Sequence, residues 1–268
     1  FVPEYKFEDV SLLHLMVHTA GYGPETMEEL SKRASYFGQP DIKEHLKAIY
    51  AIDKRDYPVG TKSMYFSAGY NILLDVIERV TGLTIETFAQ QVLFKPLMME
   101  KTTYDIGSIE KKHYACPTTF SENGETVLEE WMAYPPIGEA GMVSTCADLL
   151  KFGGMILNGG TWEGKTVLKE ETAQSLLTEA TGGRFNHTGV FFSRGSGSSY
   201  PTCFSDDYSP KAAGHPGFCG TMLWVEPELN MTAAILSNST RVTEDWASKP
   251  GNLIWQIAKK LREIAKMV

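Results

Sequence analysis

Two short segments carry the side chains best suited to acid–base chemistry. Tyr65-Phe66-Ser67 places a phenol near a hydroxyl, and His215-Pro216-Gly217 places an imidazole before a proline–glycine pair. A phenol and an imidazole can both move protons, and suitably aimed donors can stabilise a developing oxyanion. Neither segment supplies an evident nucleophile. Together they could support acid–base chemistry, and a reaction through a covalent intermediate would need a nucleophile from elsewhere.

The chain holds one Ser-x-x-Lys sequence, Ser108-Ile109-Glu110-Lys111, whose spacing would put a hydroxyl and an ammonium on one helix face. Its surroundings are polar and Pro117 follows closely, which predicts an exposed loop rather than a buried helix. No Gly-x-Ser-x-Gly elbow occurs anywhere. Ser108 is therefore the in-chain alternative, and we expect the nucleophile to lie outside the chain.

The spacing of histidines and cysteines gives little indication of a metal site. His14 and His18 are four residues apart, but Leu15 stands where a metalloprotease helix would need glutamate, so a partly buried helix end is the favoured interpretation. The cysteines lack zinc-finger spacing and are expected to be thiols, unless strands bring Cys203 and Cys219 together as a disulfide. We expect no metal and no cofactor.

Composition narrows the class of protein. The 268 residues are 43% hydrophobic and 22% charged, which is typical of a globular protein. No run approaches the roughly 20 apolar residues of a membrane span. The net charge of -8 argues against binding a nucleic-acid backbone. Phe1-Val2-Pro3-Glu4-Tyr5 has no initiator Met or leader pattern and is expected to be internal, which leaves the compartment open, cytoplasmic or extracytoplasmic.

Hydrophobic periodicity predicts helices in the first two thirds of the chain and strands after Gly183. The predicted helices are 10–18, 27–34, 41–51 with Asp41 as its cap, 68–81, 84–93, 147–157, 170–178 and a terminal helix at 252–267. The predicted strands are 189–193, 221–225 and 231–237, the last two joined by a hairpin connection at 226–230. The expected fold is α+β. It is one domain, 1–268, with a mostly helical part at 1–180 and the sheet strands and terminal helix at 181–268.

A series of short motifs, in order along the chain, resembles the class C β-lactamase-related serine hydrolases. That family includes β-lactamases, D-amino-acid peptidases, penicillin-binding proteins and esterases. The motifs are His18-Thr19-Ala20-Gly21, Pro58-x-Gly60, Tyr65-Phe66-Ser67-Ala68-Gly69-Tyr70, Val80-Thr81-Gly82, Pro96-Leu97-Met98, Gly141-Met142-Val143-Ser144-Thr145 with Asp148, and His215-Pro216-Gly217-Phe218-Cys219-Gly220.

The resemblance implies a role for each site residue. Tyr65 matches a tyrosine that relays protons, which needs a nearby positive charge because a phenol ordinarily has a pKa of about 10. His215 matches a Lys or His that biases the site electrostatically. Gly217 would let substrate approach the strand backbone, and the N–H of Phe218 would match an oxyanion donor. The family's Ser-x-x-Lys is expected upstream of Phe1.

Two departures from the family pattern bear on specificity. Ser67 replaces the usual Asn, and Pro216 replaces a common Thr, removing a hydroxyl and a backbone N–H. These departures favour an esterase or a peptidase over a β-lactamase. Asp148 is expected to be a charge at a helix start rather than a catalytic group.

The predicted function is hydrolysis of a small-molecule or peptide amide or ester through an acyl-enzyme, with the isolated chain inactive. Two alternatives stay open. One is a non-catalytic binding protein that has lost the serine. The other is a separate segment that supplies Ser-x-x-Lys.

Overall fold

The computed structural model describes residues 1–32, 42–120, 126–128, 137–185, 187–193, 204, 208–239 and 253–267. The chain forms two compact units. The first comprises Phe1–Gln91, Thr103–Lys111 and the described part of Glu130–Val143, and the second comprises the rest. The single domain expected from the sequence stays a prediction.

The first unit is built from helices. They are α1 Leu12–Met16, α2 Pro24–Lys32, α3 Ile42–Tyr50, α4 Gly69–Thr81 and α5 Ile85–Ala89, which continues into a π-helical turn at Gln90–Phe94. Their buried apolar side chains form one cluster: Leu15, Ala20, Tyr22, Leu30, Ala48, Ile49, Ile52, Phe66, Ala68 and Ile72. Because Phe66 and Ala68 belong to this cluster, the segment that enters α4 is anchored to the core on both sides of Ser67.

Polar contacts also hold the middle of α4. The Tyr50 hydroxyl donates to Asp75 at 2.6 Å, and Arg79 Nε donates to the same carboxylate at 2.9 Å. The helix ends at Gly82, whose φ of 69° is the left-handed conformation that glycine adopts without strain. Its start and end are therefore both held, which gives the Tyr65 segment a rigid support.

The second unit contains a four-stranded antiparallel sheet in the order β5-β6-β7-β8. The strands are β5 Phe192–Ser193, β6 Ala213–Gly217, β7 Thr221–Glu226 and β8 Met231–Ile235. The unit also holds the helices α6 Cys146–Leu157, α7 Glu170–Ser175 and α8 Leu253–Ala265. Two short hairpins complete it: β1 Thr118–Phe120 with β2 Thr126–Leu128, and β3 Thr161–Trp162 with β4 Lys165–Thr166. Short 3-10 turns lie at Ile106–Ser108 in the first unit, at Lys111–His113 where the chain passes from the first unit to the second, and at Pro227–Leu229 in the second.

The two faces of the sheet contact different helices. The paired residues Trp224 and Ala233 share one face, and there they pack against Ile254 and Ala258 of α8. On this face the buried Glu226 also accepts from the Arg262 guanidinium of α8, at 3.5 Å. On the other face α6 comes so close that a Cβ on Gly153 would collide with Thr232. His215 pairs with Leu223, so it lies on this second face, since alternate residues of a strand point to opposite sides.

The structure confirms the α+β organisation and most predicted elements, and it differs at their ends. α1 stops at Met16 because His18 has a φ of 56°, which no helix continues through. α2 begins three residues early because Pro24 suits a first helical position. The strand predicted at 189–193 is formed only at Phe192–Ser193. The four short strands of β1–β4 were not predicted. Asp41 and Cys203 lie outside the described residues.

No helix in the described part of the chain combines the length and apolar character that crossing a bilayer requires.

Candidate active site

Tyr65 is held by contacts of one buried histidine. The His18 carbonyl accepts from the N–H of Met64 at 2.9 Å, and His18 Nδ1 accepts from the N–H of Phe66 at 3.2 Å. The two rings of His18 and Tyr65 lie 4.5 Å apart between centroids. His18 is only 4% exposed, so it cannot swing away into solvent. It therefore fixes the backbone on both sides of Tyr65 and contacts the phenol itself.

The left-handed backbone of His18 makes this arrangement possible. A φ of 56° turns the chain sharply after α1, so that both the carbonyl and the imidazole face the same neighbouring segment. Nδ1 accepts a hydrogen bond, so it carries no proton in this arrangement. The motif His18-Thr19-Ala20-Gly21 is visible in the sequence. The sequence does not predict that His18 holds the backbone on both sides of Tyr65.

Ser67 lies in the turn that begins α4. Its carbonyl accepts from the N–H of Tyr70 at 2.9 Å, and its side chain is half-buried. Within the described residues no group is hydrogen-bonded to its hydroxyl. Tyr65 and Ser67 are brought together by the same short segment, with the buried Phe66 between them as an anchor.

Tyr70 gives a useful contrast with Tyr65. Its hydroxyl donates to the carbonyl of Met16 at 3.0 Å, and burial raises its pKa to about 12. A phenol that already donates to a backbone carbonyl, and whose pKa is raised, holds its proton and serves packing. Tyr70 is thus a structural tyrosine in the same motif. The space lined by His18, Tyr22 and Phe66 is too small to admit a water molecule and belongs to the core.

The other predicted site residues lie together in the second unit, at the end of β6. His215 Nδ1 donates to the carbonyl of Pro216 at 2.6 Å. Burial lowers the pKa of His215, because a charged imidazolium is poorly solvated there, and the bond to Pro216 only partly opposes this. His215 is therefore an uncharged imidazole near neutral pH.

A second histidine accompanies His215 and was not predicted from the sequence. His187 is 6% exposed, and burial together with the nearby His215 lowers its pKa to about 4, although Glu179 acts in the opposite direction. The site thus has two neighbouring imidazoles, and the nearby His215 adds to the effect of burial in disfavouring protonation of His187. No sequence motif marks His187, because it lies in an irregular segment before β5.

The turn after His215 carries the proposed oxyanion donor. The N–H of Gly220 donates to the carbonyl of Gly217 at 3.0 Å, which closes a tight turn between β6 and β7. Phe218, in this turn, is 67% exposed, and its N–H donates to no turn or loop carbonyl in the part of the chain that the structure describes. A Cβ on Gly217 would collide with the Thr221 hydroxyl. Hence the hairpin itself requires glycine at this position.

The in-chain Ser-x-x-Lys sequence does not form a helix. Ser108 ends one short turn, where its hydroxyl donates to the Asp105 carbonyl at 2.7 Å, and Lys111 begins another. Both residues are exposed. The predicted exposed loop is confirmed, and the geometry that would let a lysine activate this serine is absent from these two turns.

Asp148 and His14 make local structural contacts. Asp148, buried in α6, accepts from the N–H of Lys101 at 2.7 Å and from the Thr102 hydroxyl at 3.0 Å. Burial acts to raise its pKa, but these bonds and Lys151 outweigh it, and the pKa is lowered. Asp148 thus ties a loop to the start of α6. The Nδ1 atoms of His14 and His18 face different partners, Ser11 and Phe66.

The family model named Beta-lactamase matches residues 1–254, and the chain belongs to the beta-lactamase family. The family predicted from the motifs is thereby confirmed, and the chain is like the serine hydrolases of that family.

Two relatives illustrate this likeness. The chain is 24% identical over 265 residues to the N-acetylmuramyl-L-alanine amidase of Bacillus subtilis (strain 168), with 86% of the chain and 56% of that protein covered. It is 24% identical over 214 residues to the "Putative D-alanyl-D-alanine carboxypeptidase" of Escherichia coli (strain K12), with 68% and 46% covered. The chain thus spans about half the length of these relatives.

Solved structures show the same fold. A penicillin binding protein from Bacillus halodurans matches with a TM-score of 0.72 at 18% identity, covering 98% of the chain and 75% of that protein. EstCE1, a hydrolase with promiscuous acyltransferase activity, matches with a TM-score of 0.64 at 16% identity, covering 84% and 66%. At these identities the likeness concerns the fold alone.

Proposed function

We propose that the chain is part of a serine hydrolase that cleaves an amide or ester through an acyl-enzyme, with a Ser-x-x-Lys supplied from a segment upstream of Phe1. Family membership supports the reaction class. The coverage of only about half of the relatives supports a longer protein. In this scheme the upstream serine attacks the carbonyl carbon, the leaving group departs with a proton, and water then releases the acyl group.

Tyr65 is the proton relay in this proposal. It takes the proton of the attacking serine and delivers it to the leaving group. To accept that proton, the Tyr65 phenol must first lose its own, which a neighbouring cation would favour. The contacts from His18 support the role, because a relay works only when its oxygen is held within hydrogen-bond reach. Ser67 offers one hydroxyl to a substrate amide or carbonyl.

The end of β6 contributes the polar environment for the substrate carbonyl. The N–H of Phe218 donates to the developing oxyanion, and the exposed Phe218 side chain contacts an apolar acyl or leaving group. His215 is uncharged, so it offers an imidazole dipole rather than a cation. A substrate carboxylate gains no ion pair from it. This favours an ester, or an amide without an adjacent carboxylate, over a β-lactam or a peptide with a free C-terminal carboxylate.

The single observation that carries the proposal is the clamp of His18 on the Tyr65 segment within a chain of this family. Its test is labelling of the protein, extended upstream of Phe1, with a fluorophosphonate probe, followed by peptide mapping of the labelled serine. We expect one labelled serine, in an upstream Ser-x-x-Lys. Labelling of Ser108 would overturn the site assignment.

The same experiment separates the two alternatives. An upstream sequence without Ser-x-x-Lys, together with no labelling, would indicate a non-catalytic binding protein. Labelling that appears only when a separate polypeptide is added would indicate that another chain supplies the nucleophile. A matched penicillin probe tests the substrate preference, and we expect it to label more slowly than a neutral ester-like probe.

A further inference from the structure

A tight turn at 137–140 lies in the first unit, together with α4. The N–H of Ile137 donates to the carbonyl of Ala140 at 3.1 Å, and the N–H of Ala140 donates back at 3.3 Å, which closes the turn. Just beyond it, Val143 and Thr103 exchange two backbone hydrogen bonds of 2.9 and 3.0 Å. The turn is therefore closed on itself, and the chain that leaves it is anchored.

The tip of this turn rests on the backbone of α4. A Cβ on Gly138 would collide with the carbonyl oxygen of Tyr70 and lie 2.7 Å from the nitrogen of Asn71. Glycine thus lets the turn lie directly against the peptide bond between Tyr70 and Asn71. The N–H of Tyr70 donates to the Ser67 carbonyl at 2.9 Å. The turn at 137–140 therefore supports the residue that holds the Ser67 carbonyl.

A pair of side-chain hydrogen bonds fastens the turn in this place. Asn71 is fully buried, and its Nδ2 donates to Oε1 of Glu139 at 2.9 Å. Its Oδ1 accepts from the N–H of Glu139 at 3.3 Å. Both ends of a buried side-chain amide need partners, and asparagine otherwise disfavours a helix. Glu139, which is half-buried, supplies one acceptor and one donor to the same amide.

We propose that Glu139 is a positioning residue for Ser67. By bonding to Asn71 it holds the turn at 137–140 against the first turn of α4, and this keeps the Ser67 hydroxyl in the position that binds substrate. Glu139 acts through Asn71 and the backbone rather than on the reacting atoms. Its effect on turnover rests on the proposed function, in which Ser67 binds the substrate amide or carbonyl, and a small displacement of such a group weakens binding.

The first test measures hydrogen–deuterium exchange in peptides that span 65–72, in the protein that includes its upstream segment. Glu139→Ala removes the acceptor of Asn71, so we expect exchange in these peptides to become about tenfold faster. Glu139→Gln keeps an oxygen acceptor and should stay within about threefold of the parent protein. Glu8→Ala removes an exposed glutamate of the same unit and should change nothing in these peptides.

The second test measures ester turnover by the same variants. We expect Glu139→Ala to raise KM by up to about tenfold and to leave kcat within about twofold, because a substrate contact of this kind acts equally in the ground state and the transition state. Glu139→Gln should bring KM back toward the value of the parent protein. A purely structural role would lower the free energy of unfolding and leave KM unchanged.

Three results would overturn the proposal. They are unchanged exchange at 65–72 in Glu139→Ala, faster exchange with an unchanged KM, and a Glu139→Gln variant as impaired as Glu139→Ala. The last would show that the carboxylate charge matters rather than the bond to Asn71. Absence of turnover in the parent protein would instead overturn the proposed function, and the exchange measurement would still decide whether Glu139 holds this turn in place.

Discussion

His18 and His187 are both buried histidines, and each accompanies a residue of a family motif, yet they act through different forces. His18 holds Tyr65 by geometry, with its carbonyl and its Nδ1 accepting from the backbone on either side of the phenol. His187 instead responds to its surroundings by charge, because burial first, and then the nearby His215, lower its pKa. The comparison teaches that one buried histidine can hold a neighbouring segment in position, whereas another is itself kept uncharged by its surroundings.

The two regions should therefore respond to different perturbations. The Tyr65 segment should be sensitive to changes of shape that remove an acceptor or an anchor. The His215 strand should be sensitive to pH, because protonation of either imidazole in a buried place is unfavourable.

The largest effect is expected from Tyr65→Phe in the protein that includes its upstream segment. Loss of a positioned proton relay typically costs about 10²- to 10⁴-fold in rate, so fluorophosphonate labelling and ester turnover should fall by that order. The matched control is Tyr70→Phe, which removes a phenol of the same motif that donates to the Met16 carbonyl. It should lower the free energy of unfolding by about 1 kcal/mol and leave labelling within a few-fold. Equal losses of activity in both variants would remove the distinction between the two tyrosines.

His18→Ala should be the most destabilising change in the clamp. It leaves the Phe66 N–H without its buried acceptor and opens a space beneath Tyr65, so we expect a loss of about 3 kcal/mol in the free energy of unfolding. His18→Asn is the matched variant, because asparagine tolerates the left-handed backbone and offers an oxygen near the position of Nδ1. It should lose about half as much. Urea unfolding followed by fluorescence measures both, and an asparagine variant no better than alanine would show that ring packing, not the acceptor, matters.

The His187 region should instead control stability against pH. An unfolded histidine has a pKa of about 6.5, whereas in the folded protein the pKa of His187 is about 4. The folded state therefore binds fewer protons, and stability is complete above about pH 6.5 and falls as the pH drops toward 4. At about 1.4 kcal/mol per unit, the total loss is up to about 3 kcal/mol.

The measurement is the free energy of unfolding between pH 7 and pH 5. This range lies above the titration of carboxylates such as Glu179. The pKa of Glu179 is lowered because its hydrogen bonds outweigh its burial. His187→Asn should flatten the slope, although His215 retains its own share. His113→Asn, at an exposed turn, is the control and should leave the slope unchanged. If the unfolding free energy of His187→Asn depends on pH as steeply as that of the parent protein, the pKa of His187 does not control stability in this range.

The sequence predicted most of the fold because its main elements have local causes. α4 follows from the three-and-four spacing of its apolar residues and from Gly82 at its end, and the β7–β8 hairpin follows from Pro227 and Asn230 between two apolar runs. Tyr65 and His215 were singled out because their motifs are short, ordered and chemically distinctive. Their supporting histidines were not found, because nothing local to His187 distinguishes it from a loop histidine.

The same limit applies to contacts made across long separations in sequence. His18 meets Phe66 across 48 residues, and its left-handed backbone can be seen only once the chain is folded. Of the strand predicted at 189–193, only Phe192 and Ser193 pair with β6, because strand bounds are decided by the pairing partner rather than by β propensity. The reason for glycine at 217 likewise lies in its cross-strand neighbour, Thr221.

Gly217→Ala should give the smallest effect and the sharpest test of the second region. The added methyl would collide with the Thr221 hydroxyl, which must rotate or shift, and we expect a loss of about 1–2 kcal/mol in the free energy of unfolding. In the double variant with Thr221→Ala the obstructing oxygen is gone, so most of that loss should be recovered. A double-mutant cycle from thermal unfolding measures the recovery. If the losses of the two single variants simply add in the double variant, the two positions do not interact. Glycine would then be needed for its backbone freedom and not for the close approach of these two strands.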